Sequence, residues 1–243
     1  MVSSTVISAP KTSAGRDVPE LPPREELERC PATVLKDEGD HSARVVRYDL
    51  PDGSVVMKEW VPTNSRVYRW LARFLMRREI SHYRLLNGTQ GIPRFIGAYD
   101  DTSFVIEWVD GLPLKRDLPL DVLEPGLDAI EKVVDAIHAQ RFVHLDLHQK
   151  LNFLVSPNGR VWLIDLGQGL NCCRSRGFLR GLLFPFLRRV DRRAIFKFRA
   201  RYAPHTFGDG VNQAFVNKHA RRRSKGWKRL HRRLREWLVG NRR

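Results

Sequence analysis

The stretch VHLDLHQKLNFLVSPNGRVWLIDLG, residues 143–167, is the most informative part of the 243-residue sequence. It contains two apolar runs, 153–155 and 161–164, on either side of the tripeptide Pro157-Asn158-Gly159. Such a tripeptide is typical of a tight β-hairpin turn. The same stretch places three carboxylate or amide side chains at the ends of apolar runs. Asp146, Asn152 and Asp165 are each readily explained as a turn former or a cap. Only their combination therefore indicates a function.

Strand and helix patterns alternate on the N-terminal side of this stretch. Pro51-Asp52-Gly53 predicts a turn between two strands, because proline presets φ and glycine tolerates positive φ. Apolar residues at helical spacing predict a long helix with Asn64 and Ser65 as its capping residues. Arg77-Arg78 leaves open a division into two helices. The predicted strands cover residues 32–35, 43–49, 54–60, 94–99 and 103–108, and the helix ends near residue 86.

The C-terminal side is mainly helical. Residues 120–140 predict a helix with one apolar face, and beyond Gly169 the helical segments are rich in arginine. The sequence therefore predicts an α+β fold with two lobes: a small lobe with an antiparallel sheet and one helix, and a mostly helical lobe. An apolar connector at residues 107–111 would join them, and a cleft between two lobes is a common ligand site. The predicted organisation is a flexible leader at 1–28, lobes at 29–110 and 111–205, and a basic helical tail at 206–243.

Charge is distributed very unevenly along the chain. Lys and Arg number 43 against 27 Asp and Glu, which gives a formal net charge of +16. Residues 1–170 hold 21 basic and 24 acidic side chains, whereas residues 171–243 hold 22 basic and 3 acidic ones. This asymmetry favours a basic appendage that meets phosphates, nucleic acid or an anionic membrane.

Three cysteines cannot form a disulfide framework, so the composition favours a reducing compartment. The N-terminus lacks an apolar signal core, and no apolar run approaches the roughly 20 residues of a spanning helix. We therefore expect a cytoplasmic protein, or one that is peripheral on the inner face of the membrane.

Several polar residues follow one another in an order that a purely structural interpretation does not explain. Lys58 lies in a predicted buried strand, and Glu79 lies in the predicted helix that follows it. His144-Leu145-Asp146-Leu147 then precedes Asn152, and an apolar strand ends at Asp165-Leu166-Gly167. This order resembles the protein-kinase-like superfamily over residues 32–170.

The resemblance implies ATP and Mg²⁺ as cofactors and phosphoryl transfer as the reaction. In that interpretation Lys58 holds the α- and β-phosphates and Glu79 holds Lys58. The backbone from Glu107 to Val109 would meet the adenine edge. Phosphate contacts would come from the backbone near Gly39 and from Ser42, because residues 36–42 contain one glycine where a glycine-rich loop is expected.

The catalytic and metal-binding roles implied by the resemblance belong to four other residues. Asp165 and Asn152 would bind Mg²⁺, which prefers oxygen ligands. Asp146 would orient the acceptor hydroxyl and take its proton, and His144 would support the loop. Asn152 follows Asp146 by six residues where the family pattern has five, so we expect the intervening chain to bulge if Asn152 reaches the metal.

Small size, the missing APE signature and a short segment after Asp165 make the chain similar to RIO-type kinases and to lipopolysaccharide core (Kdo/heptose) kinases. The first resemblance implies a protein Ser/Thr acceptor, and the second implies a lipid-linked sugar. The string HLDLH is also similar to aminoglycoside and choline phosphotransferases, which usually have much larger C-terminal lobes.

The basic end leaves several partners open. Residues 178–201 mix leucine and aromatic residues with arginine, which we interpret mainly as the completion of the helical lobe. Residues 227–238 predict a basic amphipathic helix that suits either an anionic membrane or docking on the lobe. RNA is a further candidate partner for residues 178–243. The alternative to an enzyme is therefore a kinase-like scaffold that binds membrane or RNA through this end.

Overall fold

The computed structural model describes residues 20–37, 43–60, 66–114, 120–156, 158–173 and 178–207. The chain divides into two compact units, Met1–Asp191 and Arg192–Arg243. The larger unit contains the β-strands and the first three α-helices, and it is described first.

A five-stranded antiparallel sheet forms the N-terminal part of the larger unit, with the strand order β1-β2-β3-β5-β4. The predicted turn at residues 51–53 is confirmed, because Leu50 pairs with Gly53 across it and Gly53 has a φ of 144°. The strands are β1 Ala32–Lys36, β2 Arg44–Leu50, β3 Gly53–Glu59, β4 Phe95–Ala98 and β5 Ser103–Glu107.

One face of this sheet is covered by chain that the sequence assigns to the flexible leader. Residues Arg24–Leu27 form the short helix α1, and Leu27 is completely buried. Leu27 packs in a cluster with sheet residues that include Val46, Val55 and Met57. The Tyr99 hydroxyl also donates to the Pro22 carbonyl at 2.7 Å. The burial of Leu27 and the hydrogen bond from Tyr99 attach residues 22–27 to the sheet. The polar composition of the leader predicts a flexible segment here instead.

Helix α2, Arg66–Leu85, is a single helix, so the alternative of a break at Arg77-Arg78 is wrong. Its apolar residues have two different environments. Met76, Ile80 and Tyr83 are buried, whereas Trp70 and Phe74 are exposed. The residues proposed as its N-cap, Asn64 and Ser65, lie outside the described residues.

The remainder of the larger unit combines helices with very short strands. The predicted hairpin turn at residues 157–159 is matched by pairing of the strands on either side, and Gly159 has a φ of 75°. Helix α3, Leu120–Ala139, buries Leu127, Ile130 and Ile137. The strands are β6 Leu112–Pro113, β7 Phe142–Val143, β8 Phe153–Val155, β9 Val161–Leu163 and β10 Leu170–Asn171, which form sheets in the orders β6-β8-β9 and β10-β7.

Helix α4, Phe178–Tyr202, contains the boundary between the two units. In the larger unit its residue Phe184 packs with Val143 and Cys172. In the smaller unit the rings of Phe198 and Tyr202 lie 6.3 Å apart, and a 3₁₀ turn at Pro204–Phe207 follows. The predicted basic tail, including the stripe at residues 227–238, lies outside the described residues from 208 onward.

The α+β class predicted from the sequence is confirmed by this combination of an antiparallel five-stranded sheet and several helices. Among the described residues, no helix combines the length and the apolar character needed to cross a bilayer.

Candidate functional site

Strand β3 and helix α2 bring a lysine and a glutamate together. Lys58 is the sixth residue of β3, which hydrogen-bonds to β2 on one side and β5 on the other. Its Nζ lies 2.7 Å and 2.8 Å from the two carboxylate oxygens of Glu79, and the Glu79 side chain is only 5% exposed. A third contact, 3.1 Å long, joins Lys58 Nζ to Oδ1 of Asp165. Three residues that the sequence analysis selects separately therefore meet at one ammonium group.

The electrostatics of this cluster favour the charged forms of Lys58 and Asp165. Burial alone would lower the pKa of Lys58, but the charges of Glu79 and Asp165 outweigh burial and raise that pKa above its usual value. Burial raises the pKa of Glu79, and the Lys58 ammonium offsets part of this effect. The same ammonium lowers the pKa of Asp165. Lys58 is thus held as a cation by two carboxylates, and Asp165 is held as an anion.

Asp165 has a backbone conformation that is uncommon for a residue with a side chain. Its φ of 60° and ψ of 67° lie in the left-handed region, at the start of the 3₁₀ turn Leu166–Gln168. The next glycine explains part of the local packing. A Cβ atom at Gly167 would lie 3.2 Å from Oε2 of Glu79, so a side chain there would crowd the Lys58–Glu79 pair. Strained residues of this kind are frequent at functional sites, and here the strain directs a carboxylate towards a lysine.

Helix α2 also holds the segment after Asp165 through residues that the sequence analysis missed. The Arg78 guanidinium donates to the carbonyl oxygens of Gln168 and Gly169, at 3.1 Å and 2.6 Å. The buried His82 ring places Nδ1 2.9 Å from the Leu166 carbonyl oxygen. These two side chains anchor residues 166–169 to one helix. An arginine and a histidine on a helix carry no local signal for such long-range contacts.

Another missed residue, Asp191 of α4, supports the loop that contains Asp146. Its side chain is completely buried, and its carboxylate accepts from the backbone N–H groups of His144 and Leu145 at 2.8 Å and 2.9 Å. His138 Nε2 lies 3.1 Å from the same carboxylate. Leu145 has a φ of 65°, so these bonds stabilise an unfavourable backbone conformation. One signal in the sequence is the charge itself, because Asp191 is one of three acidic residues in 171–243.

His144, which the sequence analysis places in a supporting role, is completely buried beneath this loop. Burial lowers the pKa of His144, and the nearby carboxylates of Asp191 and Asp165 act in the opposite direction. The ring is therefore neutral at neutral pH. Its burial agrees with a packing role and places it away from any solvent-borne substrate.

The extra residue between Asp146 and Asn152 is absorbed by a turn. Residues Lys150–Asn152 form a 3₁₀ turn, and the Gln149 N–H donates to the Asp146 carbonyl oxygen at 3.2 Å. The Asn152 Nδ2 group donates to the same carbonyl at 3.3 Å. This turn returns the Asn152 amide to the backbone of Asp146. Asn152 is buried, and its amide oxygen accepts no hydrogen bond from the described residues.

Asp146 and Asp165 are joined by the segment that follows Asp165. Gln168 Nε2 donates to Oδ2 of Asp146 at 3.2 Å. The Ile164 N–H donates to the Asn152 carbonyl oxygen at 2.9 Å, which ties the strand before Asp165 to the turn after Asp146. Gln168 was missed because it lies outside every motif quoted from the sequence.

The connector residues are engaged to different extents. The Glu107 N–H donates to the Arg94 carbonyl oxygen at 2.9 Å, and the Trp108 N–H donates to the Ser54 carbonyl oxygen at 3.1 Å. The Val109 N–H has no acceptor among the described residues, although Val109 itself is buried. Among the three backbone N–H groups assigned to the adenine edge, the N–H of Val109 is therefore the one still available to a ligand. Gly39 and Ser42 lie outside the described residues.

The oxygen atoms present fit a magnesium ion better than a softer metal. Within the described residues, no group of three or more His, Cys, Asp and Glu side chains is arranged as a metal site. The Oδ2 atom of Asp165 accepts no hydrogen bond from a described residue, and the Asn152 amide oxygen is similarly unengaged. One carboxylate and one amide oxygen are a typical protein contribution to Mg²⁺, which retains water and phosphate oxygens as its other ligands.

No protein-family model matches the chain, and no curated protein matches it significantly. The resemblance stated from the sequence motifs therefore stays a prediction.

Proposed function

We propose that the chain is an ATP- and Mg²⁺-dependent phosphotransferase with a two-lobed, protein-kinase-like fold. The observation that carries the proposal is the meeting of Lys58, Glu79 and Asp165 at one ammonium group. A partly buried lysine whose ammonium group is shared by two carboxylates is the kind of electrostatically perturbed cluster that is frequent at functional sites.

Lys58 provides the positive charge for the phosphates of ATP. Glu79 holds both the position and the charge of Lys58, because its two carboxylate oxygens accept from the ammonium group. Lys58 Nζ would hold the α- and β-phosphates of bound ATP in place of its present contact with Asp165. This exchange leaves both oxygens of Asp165 available. Phosphoryl transfer depends mainly on such positioning and charge neutralisation.

Asp165 and Asn152 are the residues that would hold Mg²⁺ through their oxygen atoms. The bound ion supplies neutralisation of the phosphate charge. The Asn152 amide is oriented by its own N–H bond to the Asp146 backbone, which leaves its oxygen as the ligand atom.

Asp146 acts on the acceptor. Its carboxylate accepts the hydroxyl proton of the acceptor as a bond forms between that oxygen and the γ-phosphorus. The bond from the γ-phosphorus to the bridging oxygen of ADP breaks, and ADP leaves with its electron pair. Gln168 orients Asp146 by donating to Oδ2, and Asp191 holds the backbone of the loop. The acceptor is the hydroxyl of a protein Ser/Thr or of a lipid-linked sugar, as the two family resemblances imply.

The test is transfer of labelled γ-phosphate by the purified full-length chain, with Mg²⁺, to protein substrates and to membrane lipid extracts. We expect Asp146→Asn to lower the transfer rate by roughly 100- to 10,000-fold, the usual contribution of a general base. Asp52→Asn, at an exposed turn between β2 and β3, is the matched control and should retain the wild-type rate. Equal rates for wild type and Asp146→Asn would contradict the proposal. A folded chain without transfer to either substrate class would favour the scaffold alternative.

A further inference from the structure

The N-terminal half of α2 exposes a row of large apolar side chains. Val67, Trp70 and Phe74 are 67%, 68% and 52% exposed. Residues three and four positions apart lie on one side of a helix, so these three share one face. The rings of Trp70 and Phe74 stack with centroids 5.9 Å apart and planes inclined by 11°. Exposed apolar clusters of this kind mark interaction surfaces more often than isolated exposed residues do.

Arginines flank this row and line a groove beside it. Arg66, Arg69 and Arg73 surround Trp70 in an open groove of about 340 Å³. Among the described residues, neither Arg66 nor Arg69 forms an ion pair. Glu79 is the only acidic residue of α2, and its carboxylate is engaged by Lys58. We name the surface formed by residues 66, 67, 69, 70, 73 and 74 the α2 face.

The charge of the α2 face restricts what can cover it. Residues 208–243 hold 12 basic and two acidic side chains, so this segment would be repelled by the arginines. Residues 1–19 hold two basic side chains and one acidic, and they bring no net negative charge. In a symmetric pair of chains the same arginines would face each other. Neither terminal segment therefore supplies the negative charge that would complement these arginines, whereas an external anionic surface does.

The apolar row restricts the occupant further. A soluble phosphate compound would neutralise the arginines but leave Val67 and Phe74 in water. Nucleic acid offers bases for stacking, but one face of Trp70 already stacks on Phe74, and Val67 provides no stacking surface. An anionic bilayer supplies phosphate groups for arginine and an apolar boundary layer for valine and aromatic rings. Tryptophan is enriched at this boundary because its ring is amphipathic.

We propose that the α2 face docks on an anionic lipid bilayer surface, with Trp70, Phe74 and Val67 at the acyl boundary and the arginine-lined groove around lipid phosphates. This binding is independent of the proposed phosphotransfer, because it uses none of the residues of the candidate site. The helix that docks also carries Glu79, so docking would hold the residues of the candidate site next to the membrane surface.

The experiment measures partition of the full-length chain, without ATP, onto phosphatidylcholine vesicles with about one quarter phosphatidylserine, and onto pure phosphatidylcholine vesicles. We expect binding to the anionic vesicles only. The variant Arg66→Gln/Arg69→Gln/Arg73→Gln should lose affinity by roughly 100-fold, since each arginine near such a surface contributes about fivefold. Trp70→Ala/Phe74→Ala should lose at least about tenfold, because both exposed rings are removed.

The matched control is Arg29→Gln/Arg94→Gln/Arg160→Gln, which removes the same charge from three exposed positions outside α2. Its affinity should fall by less than about threefold. Equal losses in the two arginine variants would overturn the proposal, because net charge alone would then account for binding. Unchanged vesicle affinity in both the arginine variant and Trp70→Ala/Phe74→Ala would also overturn the proposal. Thermal unfolding midpoints confirm that each variant is folded before its affinity is compared.

Two further outcomes would assign the α2 face to another occupant and overturn the proposal. One is loss of binding to a single-stranded oligonucleotide in the arginine variant while vesicle binding persists. The other is a concentration-dependent dimer that Trp70→Ala/Phe74→Ala abolishes while vesicle binding persists. ATP is absent from these measurements, so failure of membrane binding and failure of the phosphotransferase assay can be distinguished.

Discussion

The two halves of α2 share one helical period but differ in the burial of their large apolar side chains and in the pairing of their charges. The C-terminal half buries Met76, Ile80 and Tyr83 and holds the candidate site through Glu79. The N-terminal half leaves three large apolar side chains exposed, those of Val67, Trp70 and Phe74. An apolar period of 3.6 residues therefore predicts the helix, but it does not predict which turns of the helix pack against the rest of the protein.

The charged residues of the two halves show the same contrast. In the C-terminal half, Glu79, Arg78 and His82 each bond to a lysine or to the backbone of residues 165–169. In the N-terminal half, Arg66 and Arg69 form no ion pair with a described residue. Charges that leave water need a partner, so paired charges accompany the buried half and unpaired ones the exposed half.

The largest expected effect in this comparison comes from Glu79→Ala. Removing the buried carboxylate leaves Lys58 with Asp165 as its remaining partner, and breaking a buried pair in this way costs roughly 3–5 kcal/mol. The free energy of unfolding, measured with denaturant, provides the test. Glu25→Ala in the exposed first turn of α1 is the control and should change it by less than about 0.5 kcal/mol. A loss below about 1 kcal/mol for Glu79→Ala would show that the pair is not a structural requirement.

An intermediate effect is expected from truncating apolar residues in the two halves. Met76 is 1% exposed, so Met76→Ala should cost about 2–5 kcal/mol through lost burial and the resulting cavity. Phe74→Ala removes a larger side chain two residues earlier, yet it should cost less than about 1 kcal/mol because Phe74 is half exposed. Comparable losses for the two variants would mean that the N-terminal half is covered in solution.

The smallest effect is a pH dependence restricted to the candidate site. Lys58 lowers the pKa of Asp165, so Asp165 binds a proton less readily in the folded chain than in the unfolded chain. Its contribution to stability is therefore present above the ordinary aspartate range near pH 4 and is lost as the pH falls through the lowered pKa. The stability difference between wild type and Asp165→Asn should accordingly shrink below about pH 4.

Asp52→Asn again serves as the control for this titration. Asp52 is exposed at a turn, so its replacement should change the free energy of unfolding by less than about 0.5 kcal/mol. A difference for Asp165→Asn that stays constant through the acid range would contradict the lowered pKa.

Much of the local structure followed from the sequence because short-range patterns determine it. The turn residues at 51–53 and 157–159 predict two hairpins that the structure contains. The lysine in β3 stood out because a charged residue is unusual in a buried strand, whereas Glu79 was selected as the helix partner that the family resemblance implies. The 3₁₀ turn before Asn152 was anticipated as a bulge from motif spacing alone.

Other residues of the candidate site could not be predicted, because their partners are remote in the sequence. Asp191 bonds to backbone groups 46 and 47 residues earlier, and Arg78 bonds to carbonyl groups 90 and 91 residues later. No local pattern encodes either pairing. The same limit explains Leu27, whose burial depends on a sheet face that the leader sequence does not reveal.

The sequence by itself determined the α+β class, the positions of the main strands and helices, and the order of the residues that suggest phosphoryl transfer. Only the tertiary structure decided which half of α2 is buried, which arginines are paired and which aspartate supports the loop before Asp146. The physical reason is that backbone propensity and turn chemistry act over a few residues. Burial and charge pairing instead depend on which distant surfaces come into contact.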